Sequence, residues 1–263
     1  MVIDINKNRV HMNQTYRHSQ IVKLMEQRDF ISIDELVTYF KVTPQTIRRD
    51  LNTLANTNLV TRHHGGACLS SSTKNIEYLD RKESNQQAKS NIAKSLAALI
   101  PNDSSLFINI GTTTEAVAHA LLRHKNLRVV TNNIHVASIL SENKSCSIIV
   151  AGGEVRNNDG GIIGESTVEF IDQFQMDFGI IGISGIDASG SLLDYDYREV
   201  RVSQSIIRNS RQVFLAADQT KFGRNAMVRL GNINEAQHLF TDFEPSENIK
   251  RLLDANGVKL HIT

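Results

Sequence analysis

Five short polar stretches in this 263-residue chain carry side chains suited to holding a charged small molecule. Gly111, Thr112, Thr113 and Thr114 directly follow the apolar run LFINI. A glycine lets the backbone approach an anion, and hydroxyls together with the N–H groups of a following helix can donate to it. Asn132 and Asn133 follow VVT; Gly152 and Gly153, with Arg156 just beyond, follow IIVA. Ser184 and Gly185 end FGIIGIS, and Asp218 ends VFLAA with Lys221 three residues on. Amides bind hydroxyls and phosphate oxygens, a guanidinium pairs with phosphate, and an Asp with a Lys suits a polyol and its phosphate. Each stretch alone has a plainer reading: a helix cap, a turn, or a surface ion pair of little weight. Five together, each after an apolar run, favour a site for a small phosphorylated sugar or polyol.

A second set has different chemistry. In TPQTIRRDLNTL, Thr43 is a good N-cap and Pro44 suits the first helical position. Ile47, Leu51 and Leu54 fall at i, i+4 and i+7, leaving Gln45, Thr46, Arg48 and Arg49 off the apolar face. Upstream, SIDELVTYFKV has Ser32 and Glu35 at capping-box spacing, and only Lys41 and Val42 separate its helix from Thr43. Two short helices joined so tightly predict a helix-turn-helix, with YRHSQIVKLMEQRD as a supporting first helix. Downstream, NLVTRHHGGACL predicts a hairpin that carries Arg62, His63 and His64. Residues 1–75 hold 10 Lys+Arg against 6 Asp+Glu, a net of +4, while the remainder is net −3. A basic module on a near-neutral chain suits phosphate contact with DNA. Thr43, Gln45, Thr46, Arg48, Arg49, Arg62, His63 and His64 are therefore the expected DNA-facing residues.

Elements must position both sets. After the Ser-rich SSSTKN, apolar runs alternate with helical stretches: LFINI, LRVVT, SIIVA, DFGIIGIS, QVFLAA, HLFT and VKLHI. Continuous apolar strands between helices predict an α/β domain with a mainly parallel sheet. Such sheets bind ligands beyond the carboxyl ends of their strands, where the five stretches lie. The boundaries read as residues 12–69 for the winged helix-turn-helix, 70–84 for a linker and 85–263 for the α/β domain.

These residues also carry a resemblance. TPQTIRRDLNTLANTNLVTRHHGGA resembles the DNA-binding domain of DeoR-type bacterial repressors, and the likeness continues through INIGTTTEAVAHAL, VVTNN, AGGEVR, GGIIGE, DFGIIGISGID and DQTKFGRNAMV. It covers nearly the whole chain after Met12, which is the expected translation start. The resemblance implies a repressor of glycerol and glycerol 3-phosphate metabolism that binds double-stranded operator DNA as a homodimer or homotetramer. It implies release by a small phosphorylated polyol or sugar, sn-glycerol 3-phosphate, sensed by a sugar-phosphate-isomerase-like domain. One position departs from the family pattern: Asn109 stands where an Asp is usual. Asn keeps the acceptor oxygen and loses the charge, which matters if the side chain meets the ligand and little if it braces the loop.

Two other readings remain. The effector is a different sugar phosphate, or the chain is a phosphosugar isomerase with a DNA-binding appendage. The latter needs a paired acid and base, for which Asp218, Glu199 and Lys221 are the candidates. We expect no catalytic residue, cofactor or metal; His119 and His135 fall within helical patterns and read as structural. No apolar run reaches the ~18–20 residues that span a bilayer, the N-terminus lacks a signal-peptide pattern, and Cys68 and Cys146 form no disulfide framework. The expected location is the cytoplasm.

Overall fold

The computed structural model describes residues 14–26, 31–57, 59–63, 65–69 and 78–263. The chain divides into two compact units, residues 1–71 and 72–263. Met12, His64 and residues 70–77 of the expected linker lie outside the described residues.

The first unit contains α1 (Gln14–Glu26), β1 (Ile31–Ser32), α2 (Ile33–Phe40) and α3 (Pro44–Asn56). The capping box forms as the spacing predicts: Ser32 Oγ accepts from the Glu35 N–H at 3.2 Å, and Glu35 Oε2 accepts from the Ser32 N–H at 2.9 Å. Lys41 turns the chain at φ 53, and Thr43 Oγ1 accepts from the Thr46 N–H at 3.2 Å to open α3. Ile47, Leu51 and Leu54 then bury against Ile21, Leu36 and Phe40. The hairpin β2 (Val60–His63) and β3 (Gly66–Leu69) follows. β1 pairs with the free side of β3, a third strand too short for sequence periodicity to reveal.

A buried ion pair ties α1 to α3. Asp50 is 1% exposed and sits on the inward face of the reader helix. Arg17 Nε reaches its Oδ2 at 2.5 Å, Arg17 Nη2 its Oδ1 at 3.0 Å, and His18 Nε2 lies 3.0 Å from Oδ1. Burial pushes the Asp50 carboxyl up, but the bonds from Arg17 and His18 outweigh it and hold the group below the usual carboxylate range.

The second unit begins with α4 (Tyr78–Glu83) and α5 (Gln86–Ala97). Residues 70–84 are thus not linker throughout, because α4 packs on the second unit. Next come β4 (Ser105–Ile108), α6 (Thr112–Ala120), β5 (Arg128–Thr131), α7 (Ile134–Leu140), β6 (Ser147–Val150) and the short hairpin β7 (Glu154–Val155) with β8 (Ile162–Ile163). The chain continues through α8 (Glu165–Ile171), β9 (Met176–Gly182), β10 (Gly185–Ile186), β11 (Ser191–Asp194), α9 (Tyr197–Arg208), β12 (Ser210–Ala216) and β13 (Val228–Asn232). It ends with β14 (His238–Thr241), α10 (Glu247–Ala255) and β15 (Lys259–Ile262).

Seven strands form one sheet in the order β15-β14-β12-β9-β4-β5-β6, and every pairing in it is parallel. Alternate side chains enter two cores, as strands covered on both faces require. Leu106, Ile108, Val129, Ile180 and Phe214 pack with α5, α6 and α7. Phe107, Val130, Ile181, Val213 and Leu215 pack with α8, α9 and α10. The chain runs outward through β4, β5 and β6, then returns to the other side of β4 as β9. That reversal is a topological switch point, where a crevice opens beyond the strand ends. A second, antiparallel sheet, β10-β11-β13, rises from the end of β9. Among the described residues, no helix is long and apolar enough to cross a membrane.

Removing one partner of a buried ion pair strands the other charge, at a cost of about 3–5 kcal/mol. Arg17→Ala is expected to destabilise the first unit by about that amount in urea unfolding. Since Asp50 titrates lower folded than unfolded, its contribution is complete at neutral pH and declines as pH falls through the folded value.

Candidate functional site

The reader face of the first unit is simple. Ile47, Asp50, Leu51 and Leu54 point inward from α3. Gln45, Arg48, Arg49 and Asn52 form the opposite stripe at the same i, i+3, i+4, i+7 spacing and are exposed. The guanidinium groups of Arg48 and Arg49 make no hydrogen bond or ion pair with another described residue. Thr43 and Thr46 share a 2.9 Å hydroxyl contact at the start of the helix. Arg62 on β2 donates to Asn52 Oδ1, which joins the hairpin to the reader stripe. His63 ends β2, and its side chain, like all of His64, lies outside the described residues.

In the second unit, the switch point sets which strand ends meet. Asn109 follows β4, and its N–H donates to Ile180 O on β9 at 3.0 Å. Gly111 takes φ +144 to open α6, a conformation that side chains rarely adopt. Ser184 and Gly185 follow β9. A Cβ on Gly185 would lie 2.1 Å from Arg224 O, so only glycine admits the loop that carries Lys221 and Arg224. Asp218 follows β12, where its Oδ1 accepts from the Thr220 N–H at 3.0 Å and caps the single turn Gln219–Lys221.

This turn lies among cations from elsewhere in the unit. Burial lowers Lys221 to about 8; Asp218 opposes that shift, and the charges of Arg224, Arg81 and Lys89 reinforce it. Its ammonium makes no hydrogen bond or ion pair with another described residue. Burial likewise lowers Lys89, against the pull of Asp218. Arg81 comes from α4 and Lys89 from α5. Arg224 Nε donates to Tyr195 Oη at 3.1 Å, with its guanidinium 5.3 Å from the ring centre. Lys221 thus feels three other cations and the Asp218 carboxylate, while Arg81 is itself paired with Asp159 at 3.3 Å and Glu115 also acts on Lys89.

An acidic cluster stands alongside. Arg156 Nε and Nη2 donate to the two oxygens of Asp159 at 2.8 and 2.7 Å. Nη2 also reaches Glu199 Oε2 at 2.7 Å, and Nη1 reaches Asp196 Oδ2 at 3.3 Å. Burial raises Glu199 to about 8, with the Asp194 charge adding to the rise and Arg156 opposing it. Asp194 is raised by burial too, against bonds from the Tyr195 N–H and the Ser184 hydroxyl. Acidic groups thus outnumber the guanidinium they surround.

The five expected stretches fare differently. Gly111–Thr114, Ser184–Gly185 and Asp218–Lys221 follow the adjacent strands β4, β9 and β12. Thr114, however, turns its hydroxyl to Asn109 O and Gly111 O, both at 2.7 Å. Asn133 caps α7, accepting from the His135 N–H at 2.9 Å, and Asn132 Nδ2 donates to Ile162 O at 3.1 Å. Asn132 Oδ1 is buried without a partner. Gly152 and Gly153 lie elsewhere on the sheet. They follow the edge strand β6, two strands from the switch point, and serve packing: Gly152 O accepts from Thr167 Oγ1 at 2.8 Å, and a Cβ on Gly153 would lie 2.1 Å from that oxygen. Carboxylates hold the donors of Arg156. Sequence reasoning missed Arg81, Lys89, Asp159, Asp194 and Arg224. Only Arg224, inside the quoted DQTKFGRNAMV, lay within a stretch already singled out.

Asn109 is 1% exposed. Its Oδ1 accepts from the Ile110 N–H and its Nδ2 donates to Ser203 Oγ on α9, both at 2.7 Å. It braces the loop against α9. A cavity of about 460 Å³ lies between α5 and α6, lined by Lys82, Lys89, Lys94, Thr112, Glu115 and His119. Its walls are helix flanks, so the strand ends, not this cavity, mark the chemistry.

Residues 17–73 match the family model described as the DeoR-like helix-turn-helix domain, and residues 84–243 match the DeoR C terminal sensor domain. The glycerol-3-phosphate regulon repressor of Escherichia coli (strain K12) is 54% identical over 251 residues, covering 95% of this chain and 100% of its own. The protein of the same name from Haemophilus influenzae is 55% identical over 249 residues, covering 95% and 97%. Among solved structures, ribose 5-phosphate isomerase A from Methanocaldococcus jannaschii overlaps 53% of this chain and 55% of its own, with TM-score 0.40 and 11% identity.

The Asn109 brace makes a graded prediction. Asn109→Ala leaves the Ile110 N–H without this acceptor in a buried place, at about 1–3 kcal/mol, while the Ser203 hydroxyl keeps its bond to Glu199 O. Asn109→Asp keeps the acceptor for Ile110, and Ser203 can turn its hydroxyl proton toward it. Urea unfolding should rank Ala well below Asp, with Asp close to the parent.

Proposed function

This chain belongs to the DeoR family of transcriptional repressors, and from that premise we propose that it represses genes of glycerol metabolism and leaves its operator when sn-glycerol 3-phosphate binds. Operator DNA and a small-molecule effector follow from the family; the identity of the effector is our reading. The observation that carries it is the half-buried Lys221 ammonium beside Lys89, Arg81 and Arg224, with Asp218 as the near carboxylate. A dianionic phosphate answers that excess of positive charge, and the N-terminus of α6 at Gly111–Thr114 adds N–H donors. The adjoining acids Asp194 and Glu199 suit the hydroxyls of a polyol. Glu199, raised to about 8, can donate as well as accept. Arg156 organises this acidic end and does not touch the phosphate.

The DNA step belongs to α3. Arg48 and Arg49 extend outward, and a bidentate Arg–guanine contact is worth about 1–3 kcal/mol of discrimination. A chain with one reader binds a two-half-site operator as a dimer or a higher oligomer, with readers about 34–36 Å apart. Release requires the effector to bind the low-affinity DNA state better, and a coupling of about 1–3 kcal/mol changes operator affinity about 5–150-fold. Turnover plays no part: the relatives are named as repressors, which speaks against the isomerase reading.

Two outcomes are expected. Arg48→Ala and Arg49→Ala should each weaken operator binding in a gel-shift titration. A base-reading arginine loses sequence preference, whereas a phosphate-binding one loses affinity on all DNA and reduces the salt dependence. Unchanged binding by both folded variants would remove the reader assignment.

Lys221→Ala should weaken sn-glycerol 3-phosphate binding roughly ten- to a hundredfold in calorimetry while operator binding holds. The parent's affinity should fall as pH rises through about 8, where Lys221 loses the proton that the anion needs. Below about 6 the ester loses its own second charge, so affinity should also decline there. A panel of sugar phosphates titrated against the operator complex identifies the effector. Equal binding of glycerol and its ester would overturn the phosphate site.

A further inference from the structure

Helix α4 sits at the start of the second unit, with eight residues between it and Leu69, where the hairpin of the first ends. It has no buried side chain, and Leu79 on it is 68% exposed. Six residues without an apolar anchor do not hold a helix in place by themselves. Polar contacts seat it, and they end on the effector crevice. Tyr78 Oη donates to Glu115 Oε2 at 3.0 Å, and its ring stacks on His135 with centroids 5.2 Å apart. Arg81 Nη2 reaches Asp159 Oδ2 at 3.3 Å. Lys89 Nζ donates to Arg81 O and, at 2.8 Å, to Ser84 O; Thr112 Oγ1 lies 3.4 Å from Arg81 O.

We propose that Arg81 is itself a ligand of the effector's phosphate, so that α4 forms one wall of the effector site and is re-seated when the anion binds. The inference rests on reading the Lys221 cluster as that site. Asp159 can release Arg81 without becoming unpaired. Both its oxygens already accept from Arg156 at 2.7 and 2.8 Å, against 3.3 Å from Arg81. Arg81 stands near enough to Lys221 and Lys89 for its charge to act on both. A phosphate held by those ammonium groups offers a guanidinium two parallel hydrogen bonds, a stronger arrangement than the 3.3 Å contact to Asp159. Lys89 adds a second link. Its ammonium holds the carbonyls at the C-terminal end of α4, so an anion that draws Lys89 also disturbs that end. Ligand charge thereby reaches the segment that leads to the reader, through groups whose partners differ between the free and bound states.

The test uses the full chain and sn-glycerol 3-phosphate, with inorganic phosphate as a second anion. Binding is measured by calorimetry, and amide hydrogen exchange of residues 78–84 with and without ligand. Arg81→Ala should weaken the ester at least tenfold, and Arg81→Lys should recover part of the loss. Ester should change exchange across 78–84 in the parent and in the surface control Leu79→Ala, but not in Arg81→Ala. A purely structural Arg81 would raise exchange in the variant and leave its ligand affinity near that of the parent. That result, or identical exchange in the parent with and without ester, overturns the proposal. If Lys221→Ala loses the ester while Arg81→Ala keeps it, the site stands and the α4 inference alone falls. If the parent binds neither anion, the reading of the site fails and takes this inference with it.

Discussion

Arg156 carries a charge that it cannot lose, and the protein buries most of it, leaving the side chain 19% exposed. A buried guanidinium demands carboxylates, and those available come from different parts of the chain. Asp159 sits in the loop between β7 and β8; Asp196 and Glu199 sit at the start of α9. Satisfying Arg156 therefore fixes the small hairpin against the helix that covers one face of the sheet. Burial pushes Asp159 up, but the bonds from Arg156 and the Gly161 N–H, with the Arg81 charge, hold it below the ordinary range. Asp159 in turn positions α4. One desolvated cation thus orders three separate elements around a crevice that the sheet topology opens.

The sheet supplies the other constraint. The reversal between β4 and β9 leaves the space beyond their carboxyl ends unblocked by a crossover helix. Whatever follows β4, β9 and β12 is delivered there, which is why Gly111, Ser184 and Asp218 meet although the sequence separates them widely. Residues after β5 and β6 lie progressively farther out. Asn133 and the 152–153 glycines are accordingly used for a helix cap and for packing.

Much of this was legible in the sequence, for identifiable reasons. Seven apolar runs became seven parallel strands, because strands covered on both faces need continuous apolar side chains. The Ser32–Glu35 box and the Thr43–Pro44 start are local signals and needed no tertiary information. Pairs formed over long separations were not legible. Asp50 looked like one more polar residue on α3, yet Arg17, 33 positions away, makes it part of the core. Lys89 lies in a stretch without a motif, and Arg81 in one read as linker. Neither position carries a motif. Their significance arises only when α4 and α5 are laid beside the turn after β12.

The crevice therefore has two ends of opposite character, and the contrast bears on selectivity. Lys221 lies within reach of the charges of Lys89, Arg81 and Arg224, with Asp218 opposing them, while Asp159, Asp196 and Glu199 bond Arg156 and Asp194 adds its charge to Glu199. An inorganic anion satisfies the first end and meets no complement at the second. An uncharged polyol finds hydrogen-bond partners at the second and leaves the cations mutually repelling. A molecule with a phosphate at one end and hydroxyls at the other relieves both. Raised Asp194 and Glu199 mean that the acidic end does not repel the phosphate as fully ionised carboxylates would. Since each end is built partly from elements that the other helps to hold, through Asp159 and Arg81, a ligand that engages both has more leverage on α4 than one that fills either alone.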